Sequence, residues 1–497
     1  MKNTFLLFLA FALMFSCTTD HTPKAVNYPE EGTLQLHPEN PHYFLYKGQT
    51  LALITSAEHY GAVLNLDFDY ETYLNTLASE GMNYTRIFTG TYFERPGDFG
   101  IEHNTLAPAK ARICTPWAIV VSGLEGEVQY DLNSWNDTYF DRLRAFMAMA
   151  SAKNIIVEVT LFSSVYRGET WGINPQNPDN NINIDGKMTH LQAHVAGNEP
   201  LWQYQEKFVR KIVTELNDFD NFFFEIQNEP WSDHTVPVFN IANKSELKAD
   251  DWTNKADFAS EASLAWQQQI VDIIVDEEAG LAKQHLIAQN YANFKAPIPM
   301  VNQHISIINF HYAWPEAALW NYHYGRVLGF DESGFAGAGE EVYRRQAWQF
   351  MLSGGGLFNN LDYSFYEGQE TGDGSNNAPG GGGKILRSQL KALSSFIHSF
   401  QLAKLRPAND LVAKSPGLIP FVMANGHAEI AVYLRVIGTD VVQLGLHLPD
   451  GLYAILELNT LTGEYNDARD LSAKDGILYI ETSATTGELA LKISKKD

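Results

Sequence analysis

Cationic side chains are scarce in this chain. Lys and Arg number 35 against 59 Asp and Glu, a formal net charge of −24. That balance argues against a nucleic-acid partner and against docking on anionic lipid through a basic patch. It suits an enzyme acting on a neutral substrate, although acidic residues that only keep a surface soluble give the same number. Cysteine is scarcer still, with two residues, Cys17 and Cys114. Cys114 has no second thiol for a metal site and reads as a small buried hydrophobe. Long apolar runs are missing after the first residues, so no transmembrane helix is expected there. Internal repeats are absent beyond an alternation of strand and helix.

The start of the chain is different. Met1-Lys2-Asn3 precedes an apolar run, Phe5 to Phe15, too short to span a bilayer, and then Ser16-Cys17. This is the layout of a secretory signal. Met14-Phe15-Ser16-Cys17 resembles a bacterial lipobox, in which Cys17 becomes the acylated first residue of the mature chain. Plain signal cleavage beside an incidental cysteine is the alternative. Acylation of Cys17 would exclude an intramolecular disulfide. The expected location is the bacterial cell envelope, lipid-anchored at the outer membrane or cell surface, with the membrane touched through that anchor only. Residues 18–29 read as a tether.

The 497 residues, 45% hydrophobic and 12% aromatic, suffice for a large core and suggest two domains. Short apolar runs at Leu51–Ser56, Asn83–Phe88, Ile155–Leu161, Phe222–Gln227, Leu286–Asn290, Ile305–Phe310, Val327–Phe330 and Gly356–Leu361 have the pattern of strands covered on both faces. Helical spacing recurs between them, as in Phe208, Val209, Ile212 and Val213. It is weakest between Trp314 and Arg326. The pattern predicts an α/β chain: a (β/α)₈ TIM barrel over 30–402, then a small antiparallel β-sandwich over 403–497. Asn425-Gly426 marks a hairpin in the second part. The segment from Tyr28 to Gly48 is expected to pair and close the barrel floor. Long connections at Ser163–Glu199 and Trp231–Lys255 follow strands and belong at the C-terminal rim. Gly368–Gly383, rich in Gly and Asn, is expected to be a mobile loop.

Two strands end in carboxylates. Phe222-Phe-Phe-Glu-Ile-Gln-Asn-Glu-Pro-Trp231 delivers Glu229, and Val327-Leu-Gly-Phe-Asp-Glu332 delivers Glu332. Strand alternation puts Glu225, Gln227 and Glu229 on one face and Asn228 on the other, unless the strand end is kinked. Two facing carboxylates are what glycosidic cleavage requires. A nearby cation is needed to keep one of them charged, and Arg86, ending the second strand, is the candidate. His311 and Tyr312 end the sixth strand: a tyrosine hydroxyl can donate to the nucleophile, and a histidine can bind a sugar hydroxyl. Core packing is the competing role for both. Glu58 and His59 close the first strand. Trp171, Trp231, Trp314 and Trp320 fall on rim segments, where aromatic faces stack on sugar rings. Each alone is equally well a packing residue.

Together, Asn228-Glu229-Pro230 on strand four, Glu332 on strand seven, Arg86 on strand two and His311-Tyr312 on strand six resemble the glycoside hydrolases of clan A, in particular the family 5 (cellulase-like) group. The resemblance covers about residues 30–400. It implies retention, with Glu229 as acid/base, Glu332 as nucleophile, Asn228 binding the 2-hydroxyl and Arg86 supporting Glu332, without metal or cofactor. It also implies a β-linked poly- or oligosaccharide substrate. Three departures alter the subsite. His311 and Tyr312 are adjacent, with Ala313 where the family's His-x-Tyr has its tyrosine. Strand three ends Leu161-Phe162-Ser163 without a histidine. Strand eight ends Asn359-Asn360-Leu361-Asp362-Tyr363 without a tryptophan, leaving Tyr363 at that rim position. The alternatives are a non-catalytic glycan-binding lipoprotein on a degenerate barrel and a transglycosylase using the same residues.

Overall fold

The computed structural model describes residues 32–122, 127–239, 255–437, 442–482 and 487–496. Cys17, its signal and its tether lie outside them. Eight strands, β1 (Leu53–Ala57), β2 (Tyr84–Phe88), β3 (Ile156–Ser163), β4 (Phe222–Asn228), β5 (Ile287–Asn293), β6 (Ile307–His311), β7 (Val327–Ser333) and β8 (Leu357–Leu361), form one sheet in the order β1-β8-β7-β6-β5-β4-β3-β2. Every ladder between them is parallel. The Asn83 side chain spans the seam between β1 and β2, accepting from the Ile54 amide (2.8 Å) and donating to the Ala52 carbonyl (2.9 Å). A side-chain amide there occupies the two backbone groups that an open edge would leave unpaired.

Among the described residues, seven helices longer than one turn cover the outside: α1 (Tyr70–Glu80), α2 (Asp137–Ala152), α3 (Trp202–Leu216), α4 (Glu261–Glu278), α5 (Pro315–Asn321), α6 (Glu340–Met351) and α7 (Lys384–His398). Their ends follow from sequence. Asp69 caps α1 by accepting from the Glu71 and Thr72 amides, and Gly81 ends it in the left-handed conformation at φ 81°. The irregular stretch after β6 contains the short α5. No helix is described between β5 and β6, where irregular chain connects the strands.

The floor is closed as expected. Strands Gln35–Leu36, Phe44–Tyr46 and Gln49–Leu51 pair antiparallel. Leu34, Phe44 and Tyr46 pack against one residue from each barrel strand: Leu53, Tyr84, Ile156, Phe223, Ala288, Ile307, Val327 and Leu357. An apolar plug therefore seals one end, leaving polar side chains to the other.

After α7 come two antiparallel sheets with a core of their own. The fold is a TIM barrel followed by a β-sandwich. The sandwich is fixed to α6: Trp348 stacks on Tyr433 (5.4 Å between centroids), and Arg344 Nε donates to buried Glu488 (2.6 Å). The segment Gly368–Gly383, expected to be mobile, is pinned. Asn376 exchanges hydrogen bonds with the His103 backbone at 3.1 and 2.7 Å. Among the described residues, no helix is long and apolar enough to cross a membrane.

Candidate active site

Five non-glycine residues just beyond strand ends have positive φ: Tyr60 (61°), Glu229 (47°), Phe294 (53°), Tyr312 (51°) and Phe335 (55°). Such backbone costs of order 1–3 kcal/mol per residue and collects at functional sites. Here it breaks strand alternation. Asn228 and Glu229 are neighbours yet line the same pocket, and Tyr312, next to His311, reaches Glu332 as His311 does.

Glu229 and Glu332 converge. One oxygen of each, with one His311 ring nitrogen, lies within 4.8 Å of the other two. Glu229 Oε2 accepts from the Tyr166 hydroxyl (2.7 Å) and from Ser232 Oγ (3.2 Å). Glu229 Oε1 lies 2.9 Å from His311 Nδ1. Glu332 Oε2 accepts from the Tyr60 hydroxyl (2.9 Å) and from Arg86 Nη1 (3.5 Å). Glu332 Oε1 accepts from the Tyr312 hydroxyl (2.7 Å).

These surroundings set the charge of Glu332 and of His311. Burial alone would push the Glu332 carboxyl up. The charges of His311 and Arg86, with the hydrogen bonds from His311 and Tyr312, outweigh it and hold Glu332 well below the usual carboxylate range. Burial would likewise strip the proton from His311. Glu332 and Asp331 reverse this and hold the imidazole protonated, its Nε2 3.3 Å from Asp331.

A second layer lies below. Arg86 is fully buried. Its Nε donates to Glu225 Oε2 (3.0 Å), its Nη2 donates to Asn228 Oδ1 (2.8 Å) and lies 3.5 Å from Asp331. Glu225 also accepts from Thr160 (2.7 Å) and from Asn290, and Glu158 accepts from Tyr84 and from Asn309 (2.7 Å). Burial pushes the Glu225 and Glu158 carboxyls up, against the pull of Arg86. Asp331 is drawn down by His311 and Arg86 despite its burial. Two cations thus face two firmly ionised carboxylates, Glu332 and Asp331, while burial pushes Glu225 and Glu158 toward the neutral form.

Two trios of groups are close enough to hold a metal ion: Glu229, His311 and Glu332, and below them Glu158, Glu225 and Asp331. The upper trio is surrounded by hydroxyl and guanidinium donors, an environment built for carboxylate anions more than for an added cation.

Several expected roles change. His311 lies fully buried beneath both carboxylates, so it is placed to govern their charge and not to touch a sugar. Glu58 faces away from the cleft: it accepts from the Gly61 and Ala62 amides (3.0 and 2.9 Å) and from Thr105 Oγ1 (2.7 Å), tying a rim segment down. Of the four tryptophans only Trp231 lines the cleft. Trp171 is buried, its indole donating to the Met188 carbonyl (2.7 Å). Trp314 and Trp320, each 40% exposed, flank Lys295 Nζ at 3.8 and 6.0 Å, away from the cleft. Tyr363 is buried with its ring 5.6 Å from that of His59. Asn228 lines the pocket, but its Nδ2 already donates to Tyr166 (2.9 Å). Cys114 is a buried free thiol, pushed up to about 11 by burial.

Sequence reasoning missed Tyr60, Tyr166 and Glu94, which sit past strand ends where periodicity says nothing. Around Glu332 the aromatic lining comes from Phe88, Tyr92, Phe99, Tyr166 and Phe335, with Trp231 on the other side of Glu229.

No family model matches the chain, and neither does any curated protein. Solved structures share its fold. A protein from Bacteroides vulgatus ATCC 8482, provisionally named a glycoside hydrolase, aligns with TM-score 0.64 at 13% identity, over 94% of this chain and 82% of that one. A family 5 glycoside hydrolase from the same organism aligns with TM-score 0.58 at 11% identity, over 94% and 95%. The resemblance to clan A is met in the fold, over barrel and sandwich together.

Proposed function

We propose that this chain is a retaining glycoside hydrolase acting on a β-linked poly- or oligosaccharide. The observation that carries this reading is the approach of Glu229 and Glu332 across one pocket, with oxygens inside 4.8 Å. Carboxyl groups roughly 5–5.5 Å apart suit double displacement, whereas inverting pairs stand about 6.5–9.5 Å apart to admit a water.

Glu332, held ionised, attacks the anomeric carbon and forms the ester bond. The bond from that carbon to the leaving oxygen breaks, and Glu229 gives the leaving oxygen its proton. Glu229, now a carboxylate, takes a proton from water. The water oxygen bonds the anomeric carbon and the ester to Glu332 breaks, restoring both groups. His311 and Arg86 keep positive charge beneath the nucleophile. Tyr60 and Tyr312 orient its two oxygens, and Tyr166 orients the acid.

The test is a panel of aryl β-glycosides and β-glycans, with the first-formed anomer read by NMR. Retention is expected, and Glu332→Ala is expected to abolish turnover while ligand binding and fold persist. Inversion, or full activity in that variant, would reject the reading. Added sugar acceptors would expose a transglycosylase.

The lipobox-like run supports placing the enzyme on a lipid anchor at the cell envelope, outer membrane or surface. Incorporation of labelled fatty acid, lost in Cys17→Ala, is the expected result.

A further inference from the structure

The cleft has two unequal halves that meet at Glu229. One has a cavity volume of about 50 Å³ and is lined by Glu332, Asn228, His59 and Glu94 as well as Glu229. The other has a cavity volume of about 440 Å³ and is lined by Glu229, Trp231, Ser232 and Asp257, but not by Glu332. Chemistry assigns the halves. A nucleophile touches the sugar whose anomeric carbon it attacks, while the acid must reach the leaving oxygen. The small half therefore holds the glycone and the large half the leaving group.

The small half is walled off. Beyond β2 the chain runs through Glu94, Phe99 and Leu106, all lining that half. This segment is pinned at three places. Thr105 Oγ1 bonds Glu58 (2.7 Å) and the His59 carbonyl (2.8 Å). His103 is held by Asn376, and the Glu102 amide donates to the Asn377 carbonyl (3.1 Å). At Gly61 an added Cβ would lie 2.2 Å from the Thr105 carbonyl oxygen, so the wall presses on the exit of β1 without a gap. A volume far below the roughly 300–1,000 Å³ of ligand pockets leaves no room for a continuing chain.

The end wall is polar. Glu94, 6% exposed, accepts from Asn104 Nδ2 (2.5 Å) and from the Tyr92 hydroxyl (3.3 Å), and lies 3.2 Å from His59 Nε2. A carboxylate has about four acceptor positions, so these three partners leave room for another donor. His59 Nδ1, buried at this end, has no hydrogen-bond partner among the described residues.

Resting on the hydrolase reading, we infer that the enzyme is exo-acting: it removes single sugars from the non-reducing end, and Glu94, braced by His59 and Asn104, accepts hydrogen bonds from the terminal sugar's hydroxyls. On this reading a further sugar on the terminal hydroxyl would collide with the pinned segment that carries Glu94.

The experiment uses reducing-end-labelled β-gluco-, manno-, xylo- and galacto-oligosaccharides of defined length. Labelled products shortened one unit at a time are expected from the first time point. Internal cuts at early times would overturn this inference and leave the hydrolase reading standing. Absence of cleavage across the panel would overturn both. On the cleaved series, Glu94→Gln is expected to lower kcat/KM by about tenfold or more, chiefly through KM, as for loss of a hydrogen bond to a charged group. Its thermal midpoint is expected to stay near that of the parent. Unchanged KM in a folded Glu94→Gln would remove Glu94 from the assignment.

Discussion

The Tyr312 hydroxyl donates to Glu332 Oε1 at 2.7 Å, although Tyr312 follows directly after His311, which approaches the same oxygen at 3.5 Å. Neighbouring residues on a regular strand face opposite ways. The positive φ of Tyr312, with a shift in register between Phe310 and His311, brings both to one carboxylate. An adjacent pair thus reaches Glu332 with no tyrosine at position 313. Replacing Tyr312 by Phe removes one donor to an ionised group, worth about 1.5–3 kcal/mol. The expected result is a fall in kcat of roughly 10- to 100-fold with KM little changed. Steady-state kinetics on an activated aryl glycoside checks it, and an unchanged kcat would show the bond to be idle.

His311 supplies much of the positive charge that holds the Glu332 carboxyl down. In His311→Gln that charge is gone, so Glu332 becomes easier to protonate. Activity requires Glu332 ionised, and the acidic limb of the kcat/KM profile is therefore expected to move to higher pH. A limb that stays put or moves lower would contradict this electrostatic role.

Arg86 is the buried cation on which Glu225, Asn228 and Glu332 converge. Arg86→Met leaves carboxylates uncompensated in the barrel interior, at a cost of roughly 3–5 kcal/mol. A large drop in thermal midpoint is expected, with Arg86→Lys intermediate because one ammonium cannot reproduce the planar fork. Equal midpoints for all three proteins would show the interior to be balanced by other means.

Glu58 gives a stability signature. Burial pushes its carboxyl up to about 7, although Thr105 and two amides donate to it. Between its ordinary value of 4.5 and about 7, the unfolded chain releases this proton while the folded chain keeps it. Parent stability from this group therefore falls as pH rises through that window. Glu58→Gln lacks the effect. The stability advantage of the parent over Glu58→Gln is expected to shrink between pH 5 and pH 7.5 in parallel denaturation curves. An advantage that grows with pH would show Glu58 to be held as an anion.

The barrel was legible because each buried strand is a short apolar run, and Glu229 and Glu332 stood out because a charge ends each of two such runs. What surrounds them was less legible, for physical reasons. Tyr60 and Tyr166 reach the carboxylates from segments without periodicity. Alternation alone puts Asn228 on the far face unless the strand end kinks, and no residue type announces the left-handed backbone at Glu229 that brings both into one pocket. Trp314 and Trp320 sit beside the right strand, but the chain turns outward there and they flank Lys295 instead. The depth of His311 follows from the packing of three strands, which a single strand's sequence does not encode.

The central claim is that Glu332 forms the covalent bond to sugar. The direct measurement treats the protein with dinitrophenyl 2-deoxy-2-fluoro-β-glycosides of the gluco, manno, xylo and galacto series, then maps modified peptides by mass spectrometry. One glycosyl adduct on Glu332, formed as dinitrophenol is released, is the predicted result. An adduct on Glu225, Asp331 or any other residue, with Glu332 unmodified, would contradict the account.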